Sequence, residues 1–319
     1  MAIKKLILDL DTGIDDALAL AYALSQKKAD LIGVIASYGN TQVEIAAQNT
    51  LDLLSLLGHK DIPVYIGERK SLEAKSFETM EVSKQIHGQN GIGDIKIEKS
   101  TQSVQTKNGV DFLIDSANEY AENLILVPTG PLTNLAKAFK KDPAAIKKIG
   151  NTTFMGGALT VPGNVTSFSE ANINQDPLAA DIVCKNIPNL TMVGLDVTLR
   201  TLLTYKESRQ WRNIGSKAAI LYAEMLDYYI KAYYDLDIDK QGAAIHDPLA
   251  VGLAIDPSYA TYISLALKTV YDHTKDYGRI IGDEKKLRLP TDTKAAVNVN
   301  APRFTKHFMD RIDEILAHA

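Results

Sequence analysis

The sequence has little of several things that would indicate a specialised protein class. It contains a single cysteine, Cys184, so no disulfide can form within the chain, as expected in a reducing cytoplasm. The formal net charge is only −4, so the charge balance does not suggest a nucleic acid as a partner. The apolar run after Lys5 is interrupted by Asp9, so neither a signal peptide nor a membrane span is predicted. We therefore expect a soluble cytoplasmic protein.

The sequence also lacks internal repeats, low-complexity segments and a linker rich in proline, glycine or serine. Hydrophobic residues make up 45% of the 319 residues, which is normal for a globular protein with a full core. A large α/β domain can reach this length without splitting. We predict one domain over residues 1–319.

Short apolar runs alternate with amphipathic stretches along the first two thirds of the chain, which indicates βαβ units and a mainly parallel sheet with helices on both faces. After about residue 201 the pattern becomes mainly helical and predicts additional helices. The predicted strands are 4–10, 29–39, 61–67, 123–130, 151–157 and 189–197, with weaker signals near 261–271 and 295–299. The predicted helices are 15–27, 43–58, 109–122, 131–142, 176–186, 204–215, 216–235, 247–256 and 303–319.

Uncommon polar residues follow the predicted strands repeatedly. In an open parallel sheet, ligands bind beyond the carboxyl ends of the strands, so these positions predict a binding site along one edge. They are Asp9, Asp11, Tyr38, Asn40, Thr129, Met155, Gly156, Gly157 and Asp196.

The segment "LILDLDTGIDDAL" places four aspartates within eight positions. Two acids at a helix N-terminus would be ordinary, but four like charges in one place repel one another. A hard cation such as Ca²⁺, which takes six to eight oxygen ligands, relieves that repulsion. Gly13 permits the tight turn of a phosphate-binding loop, yet a phosphate would be repelled here. The composition favours a metal and a neutral polyhydroxyl ligand.

Two later segments add candidate ligands. Asp247, in "HDPLAV", can join the metal site or simply begin a helix whose first residue is proline. In residues 155–177, Asn164, Glu170 and Asn172 offer amide and carboxylate groups for hydroxyls, although asparagines in such a loop are also common turn formers.

Five of these motifs together resemble the inosine–uridine-preferring nucleoside hydrolases. They are "LDLDTGIDDALAL", "YGN", "PTGPLTNLA", "MGG…GNVTSFSEANINQDPLAA" and "HDPLAV", which occur in the family's order between residue 6 and about residue 252. The resemblance implies a Rossmann-like α/β fold, one Ca²⁺ per active site and hydrolysis of the N-glycosidic bond of ribonucleosides.

The same resemblance implies a role for individual residues. Asp11, Asp16 and Asp247 would ligate Ca²⁺ together with the Thr129 carbonyl, and Asp11 would also act as general base toward the attacking water. Asp9 would orient the loop from behind. The ribose would be held by Asp15, Asn40, Met155, Asn164, Glu170 and Asn172.

The base side of the implied site is less defined. His246 matches the position of a histidine that would protonate the leaving base, and His87 lies in a stretch that resembles a mobile loop over the base. Tyr229 and Tyr233, spaced for one helix face, would contact the base, although core packing is an equal interpretation for at least one tyrosine of this helix. Thr12 departs from the family, which usually has proline there. Purine or pyrimidine preference stays open, and a homo-oligomer, dimer or tetramer, is expected from the resemblance alone.

Two alternatives remain at this stage. In a haloacid-dehalogenase-like phosphatase Asp9 would be the nucleophile and Asp11 the acid, but Gly13 occupies a position where that motif normally has Thr or Val. A calcium-dependent nucleoside- or sugar-binding protein would bind ribosides without releasing the base.

Overall fold

The computed structural model describes residues 3–319, and its core is an eight-stranded sheet. The runs predicted as strands form because apolar residues buried on both faces suit a parallel sheet. Two separate two-stranded ribbons lie apart from it. In chain order the strands are β1 (Lys4–Leu10), β2 (Ala29–Ala36), β3 (Val64–Ile66), β4 (Leu124–Pro128), β5 (Asn151–Met155), β6 (Leu190–Val193), β7 (Leu202–Leu203), β8 (Ala243–Ala244), β9 (Ala260–Ser264), β10 (Leu267–Thr269), β11 (Ile280–Gly282) and β12 (Lys294–Val299).

The strand order in the large sheet is β3-β2-β1-β4-β5-β6-β12-β9. All neighbouring pairs are parallel except β12 and β9, which pair antiparallel at one edge. The first six strands follow the doubly wound order of Rossmann-like folds, whose direction of winding reverses between β1 and β4. The predicted α/β class, the mainly parallel sheet and the Rossmann-like fold are confirmed.

Helices cover both faces of the sheet, and each face has its own apolar core. Alternate residues of β1 point to opposite faces, so Leu6 and Leu8 enter one core and Ile7 enters the other. The helices are α1 (Ile14–Leu24), α2 (Val43–Leu56), α3 (Glu81–His87), α4 (Gly109–Tyr120), α5 (Thr133–Lys141), α6 (Pro143–Ile146), α7 (Ala171–Gln175), α8 (Pro177–Asn186), α9 (Leu195–Thr198), α10 (Tyr205–Ile214), α11 (Lys217–Asp235), α12 (His246–Ile255) and α13 (Ala301–His318), with 3₁₀ turns at Ala121–Asn123 and Pro257–Tyr259.

The structure differs from the predicted elements in a few places. The strand predicted over 189–197 ends at Val193, and the chain turns at Gly194 into the short helix α9. Helix α3 was not predicted, because the polar segment that contains it has no clear apolar periodicity. The additional helices of the last third are present as α10 to α13. Over residues 3–319, no helix combines the length and the apolar character needed to cross a membrane.

Candidate active site

The candidate site lies at the carboxyl ends of β1 and β4, where the winding of the sheet reverses. The chain leaves β1 at Asp11 and leaves β4 at Thr129, and the backbone N–H of Thr129 donates to the Asp9 carbonyl at 2.9 Å. This hydrogen bond joins the two turns side by side. Ligands bind at such a reversal point in open α/β sheets, so topology alone brings the first aspartates and Thr129 together.

The start of helix α1 fixes two more aspartates. Asp16 accepts a hydrogen bond from the Gly13 N–H at 2.7 Å and thereby caps the helix. Gly13 is required for close approach, since a Cβ there would lie 2.7 Å from Nδ1 of His87 and 2.8 Å from Nδ2 of Asn40. The absence of a side chain therefore lets two candidate ligand-binding residues contact the turn.

Helix α12 begins at the same place and adds Asp247. Carboxylate oxygens of Asp15, Asp16 and Asp247 all lie within 4.8 Å of one another, and all three residues are buried. The first turns of α1 and α12 carry partial positive charge from the helix dipoles, which favours carboxylates at this point. Two helix N-termini and three carboxylates thus converge on one small volume.

Asp11 lies beside this triad rather than within it. Its Oδ2 accepts from the backbone N–H of Asn40 at 2.6 Å, and its Oδ1 is buried without a hydrogen-bond partner among the described residues. Gly130 packs directly against Asp11, since a Cβ on Gly130 would lie 3.1 Å from the Asp11 Cβ. The sequence grouped Asp11, Asp16 and Asp247, whereas the tightest group in the structure contains Asp15 in place of Asp11.

Burial and mutual repulsion raise the pKa of every carboxyl in the cluster. Burial, followed by the charge of Asp16, raises the pKa of Asp15 to about 8 and that of Asp11 well above its ordinary value. Burial and the charge of Asp15 do the same for Asp247. Burial raises the pKa of Asp9 to about 7, although a hydrogen bond from Nδ2 of Asn134 at 2.8 Å opposes the change. Without a counter-ion, Asp9 and Asp15 therefore hold protons for part of the time near neutral pH.

The donor set fits a hard cation. Oδ1 of Asp11 and Oδ1 of Asp15 are buried with no hydrogen-bond partner in residues 3–319, which is costly unless another group binds them. Carboxylate and carbonyl oxygens are the ligands that Ca²⁺ and Mg²⁺ prefer. The Thr129 hydroxyl donates to Oδ1 of Asp16 at 2.7 Å and orients that carboxylate. A metal ion would satisfy the unpaired oxygens and lower each raised pKa.

Four predicted ribose-binding residues share one wall of the cavity. Nδ2 of Asn172 donates to the Thr129 carbonyl at 2.6 Å and lies 3.3 Å from both the carbonyl oxygen and Sδ of Met155. Glu170 caps helix α7, and its carboxylate accepts from the backbone N–H groups of residues 157, 172 and 173. Oδ1 of Asn164 accepts from the backbone N–H of Ala171 at 3.0 Å. These hydrogen bonds fix the side chains before any ligand binds.

A chain of hydrogen bonds forms the opposite wall. The hydroxyl of Tyr229 lies 3.2 Å from that of Tyr233, which lies 2.7 Å from Nε2 of His246, and Nδ1 of His246 lies 2.8 Å from the Thr198 hydroxyl. Burial lowers the pKa of His246 to about 4, so the imidazole is neutral near pH 7. Both tyrosines face the cavity, although the sequence left core packing as an equal interpretation.

His87 is buried in the site rather than held away from it. Its Nδ1 accepts from the backbone N–H of Ile14 at 3.1 Å, and its ring lies against Tyr229 with a centroid separation of 5.6 Å. Burial, and then the charge of His246, lowers the pKa of His87 to about 3. The C-terminal end of α3 therefore packs against the start of α1 and against Tyr229.

These walls enclose a cavity of about 300 Å³, large enough for one small organic molecule. Of the residues that the resemblance assigned to the metal, the ribose or the base, all line it except Asp11 and Asp16. The predicted residues that line it are Asp15, Asn40, His87, Thr129, Met155, Asn164, Glu170, Asn172, Tyr229, Tyr233, His246 and Asp247.

Sequence reasoning missed the apolar part of the lining and misjudged two polar residues. Val82, Leu199 and Ile238 line the cavity and come from segments with no polar signal. Tyr38 is instead bonded to the Thr133 hydroxyl at 2.8 Å, and Asp196 holds the backbone of the loop after β5. Neither of these two lines the cavity. Thr198, which contacts His246, gave no separate signal in "GLDVTLR".

Comparison with known proteins identifies the family. The family described as inosine-uridine preferring nucleoside hydrolase matches residues 6–306. The chain belongs to this family. Nucleoside hydrolases cleave the N-glycosidic bond between base and ribose, and the family is metal-dependent, which agrees with the buried aspartate cluster.

Individual relatives of this nucleoside hydrolase agree with the assignment. A probable uridine nucleosidase 2 of Arabidopsis thaliana is 34% identical over 98% of each chain. A pyrimidine-specific ribonucleoside hydrolase of Escherichia fergusonii is 32% identical over 81% of each chain. The solved structure of a purine-preferring ribonucleoside hydrolase from Gardnerella vaginalis is 46% identical, with a TM-score of 0.97 over 99% of this chain and 100% of that one. The assignment favours hydrolysis over the phosphatase and binding-protein alternatives.

Proposed function

We propose that this nucleoside hydrolase requires Ca²⁺ and that its aspartate cluster binds the ion at the closed end of the cavity. The observation that carries this proposal is the set of buried carboxylates with unpaired oxygens at Asp11 and Asp15. Asp11, Asp16, Asp247 and the Thr129 carbonyl are the proposed ligands. Asp15 lies close enough to Asp16 and Asp247 to join them, or to hold the ribose beside the ion. A cation held by these residues would supply positive charge that polarises the attacking water and favours binding of the ribose hydroxyls.

Asp11 is the proposed general base. Its Oδ2 is held by the Asn40 backbone, so the partnerless Oδ1 is the oxygen that can accept a proton from the attacking water. Asp11 must be ionised to accept that proton, and a cation bound beside it would favour the ionised form. Asp9 supports the turn from behind through its hydrogen bond with Asn134.

The ribose hydroxyls are proposed to bind between the metal site and the wall formed by Met155, Asn164, Glu170 and Asn172. Breaking the bond at C1′ builds positive charge on the sugar, which nearby carboxylates stabilise. Glu170 and Asp15 are the cavity-lining carboxylates outside the proposed set of metal ligands, and Asn40 completes this side.

The departing base accumulates negative charge on its ring nitrogen, and a proton donor on the opposite wall would neutralise it. The chain formed by Tyr229, Tyr233 and His246 is the donor that the cavity offers, and His87 closes over the base. The apolar lining of this wall fits a flat heterocycle.

The direct experiment measures ribose release from a panel of purine and pyrimidine nucleosides by a reducing-sugar assay. We expect turnover in Ca²⁺ and a loss of at least a hundredfold in kcat for Asp11→Asn, with an unchanged circular dichroism spectrum. Binding of nucleosides without ribose release would instead support the binding-protein alternative. The panel also measures base preference, since the relatives include enzymes named for purines and enzymes named for pyrimidines.

Several wider properties belong to the same proposal. The products, free base and ribose, suit nucleoside salvage, and the single buried cysteine suits a cytoplasmic location. We also propose a single domain and assembly into a homo-oligomer, which size-exclusion chromatography with light scattering would test.

A further inference from the structure

We propose that Thr198 is a positioning residue that fixes the tautomer of His246 and so makes Tyr233 a better proton donor to the departing base. This inference rests on the proposed function. The observation behind it is a hydrogen bond at the end of the chain formed by Tyr229, Tyr233 and His246. There the Thr198 hydroxyl lies 2.8 Å from Nδ1 of His246.

The Thr198 hydroxyl is fully buried and has one hydrogen-bond partner among residues 3–319, the His246 ring. A threonine in a helix often donates instead to a backbone carbonyl one turn earlier. Thr201, three residues later, does this through a 3.3 Å bond to the Val197 carbonyl. Thr198 makes no such bond in the described chain, so its proton has Nδ1 of His246 as its acceptor.

This restriction selects one form of the imidazole. A neutral imidazole carries its single proton on Nδ1 or on Nε2. If Nδ1 carried it, Nδ1 would donate to Thr198 and the threonine proton would remain buried without an acceptor, which is unfavourable. If Nε2 carries it, Thr198 donates to Nδ1 and both hydrogen bonds are satisfied. The geometry therefore favours the Nε2–H tautomer.

In that tautomer, Nε2 of His246 donates to the Tyr233 hydroxyl oxygen across 2.7 Å. The Tyr233 proton then points to Tyr229 or to the cavity, and the tyrosine pair keeps a proton available for a ligand. In the other tautomer Tyr233 would donate to Nε2, and a Tyr233 phenolate would receive no hydrogen bond from His246.

The proton transfer balances within the proposed reaction. The electron pair of the C1′–N bond moves to the ring nitrogen of the base, and that nitrogen takes the phenolic proton from the tyrosine pair. The Nε2–H of His246 stabilises the phenolate left behind. The attacking water supplies a hydroxyl to C1′ and its proton to Asp11. Exchange with solvent then returns a proton to the tyrosine and removes one from Asp11.

The test compares two kinds of leaving group. Purine and pyrimidine nucleosides need a proton on the departing base, whereas 4-nitrophenyl β-D-riboside releases a stable phenolate without one. We expect Thr198→Val to lower kcat on inosine or uridine by about ten- to a hundredfold, with KM within about threefold of the parent value. Turnover of the 4-nitrophenyl riboside should stay within about twofold of the parent, and Thr198→Ser should restore nucleoside turnover.

Thr201→Val is the matched control, because it removes a buried hydroxyl in the same segment that contacts only backbone. It should leave both substrate classes within about twofold of the parent. If Thr198→Val fails to fold, Thr198→Ala is the second hydroxyl-free variant. A long-range ¹H–¹⁵N spectrum of the histidine side chains, assigned with His246→Gln, should show the proton on Nε2 in the parent and a change in Thr198→Val.

The outcomes separate this inference from the proposed function. A parent enzyme that releases no ribose from any nucleoside contradicts the proposed function and this role with it. An active parent contradicts the role of Thr198 alone if Thr198→Val leaves nucleoside turnover unchanged. The role of Thr198 is also contradicted if Thr198→Val slows both substrate classes equally. It is contradicted as well if the parent His246 carries its proton on Nδ1.

Discussion

Raising the pH from 7 to 9 should destabilise the metal-free protein more than the calcium-loaded protein. The buried carboxyls of Asp9 and Asp15 have pKa values raised to about 7 and about 8, whereas an aspartate in the unfolded chain titrates near 3.8. Both groups are protonated in the folded state at a pH where the unfolded chain has released those protons. Their contribution to stability is therefore present at low pH and is lost as pH rises through 7 and 8.

The size of the effect follows from the same values. The two groups together retain between one and two protons at pH 7 and almost none at pH 9. Each retained proton changes the free energy of unfolding by about 1.4 kcal/mol per pH unit, which gives a loss of about 2 kcal/mol over this range. For a chain of 319 residues the unfolding entropy is about 0.7 kcal/mol per kelvin, so the melting temperature should fall by about 3 °C.

Differential scanning fluorimetry at both pH values, in EDTA and in excess Ca²⁺, measures the effect. Bound Ca²⁺ keeps the carboxylates ionised, so the stabilisation by Ca²⁺ should be about 3 °C larger at pH 9 than at pH 7. At each pH, the melting temperature in EDTA is subtracted from that in Ca²⁺. This subtraction cancels the effect of titrating groups elsewhere in the chain. In EDTA, Asp15→Asn should reduce the pH dependence, because it removes one titrating carboxyl and the charge that helps to raise the pKa of Asp11 and of Asp247. A stabilisation by Ca²⁺ that is equal at both pH values, or smaller at pH 9, would refute the reasoning.

Two further predictions concern the turns that carry the cluster. The Thr50 hydroxyl donates to the Ala46 carbonyl and accepts a hydrogen bond from the Thr12 hydroxyl at 2.8 Å. Thr12→Val should therefore lower the free energy of unfolding, measured with urea, by about 1 kcal/mol. Thr50→Val should cost more, because it leaves the Thr12 proton without its acceptor; equal costs would contradict this direction of donation. Gly39→Ala would place a Cβ 1.9 Å from Oδ2 of Asp11 and should lower kcat at least tenfold. Gly58→Ala is the control, because a Cβ at this position has no atom within 4 Å, and it should keep normal turnover. If both variants lose turnover equally, displacement of Asp11 is not the cause of the loss in Gly39→Ala.

Much of the fold was predictable because strands buried on both faces appear as continuous apolar runs. The six strands that follow the Rossmann-like order begin or end within a few residues of their predicted limits. The site was predictable for a related reason, since the carboxyl ends of parallel strands meet at one edge. Asp11, Asn40, Thr129 and Met155 all reach the site this way, although their partners are distant in sequence.

Other features depend on three-dimensional contacts that no local pattern encodes. Helix α3 forms from a polar segment, and tertiary packing buries its last residue, His87, against Tyr229. Thr198 is significant only because His246, 48 positions later, reaches its hydroxyl. The resemblance assigned Asp11 rather than Asp15 to the metal, whereas the fold brings a carboxylate oxygen of Asp15 within 4.8 Å of those of Asp16 and Asp247.

The presence of threonine at position 12, where the family usually has proline, now has a structural explanation. The buried hydrogen bond between Thr12 and Thr50 connects the aspartate turn to helix α2. A proline fixes the turn through its own ring, whereas Thr12 fixes it through this contact. Thr12 is fully buried, and this contact holds the turn in place.

The most direct test of the central claim is ribose release by protein stripped of metal, measured before and after addition of Ca²⁺. The protein is treated with a chelator, desalted and checked for residual metal by elemental analysis, and then assayed with its best nucleoside from the panel. The buried carboxylate cluster predicts almost no turnover in the stripped protein and recovery on addition of about one Ca²⁺ per chain. Full turnover with no metal bound would contradict the account.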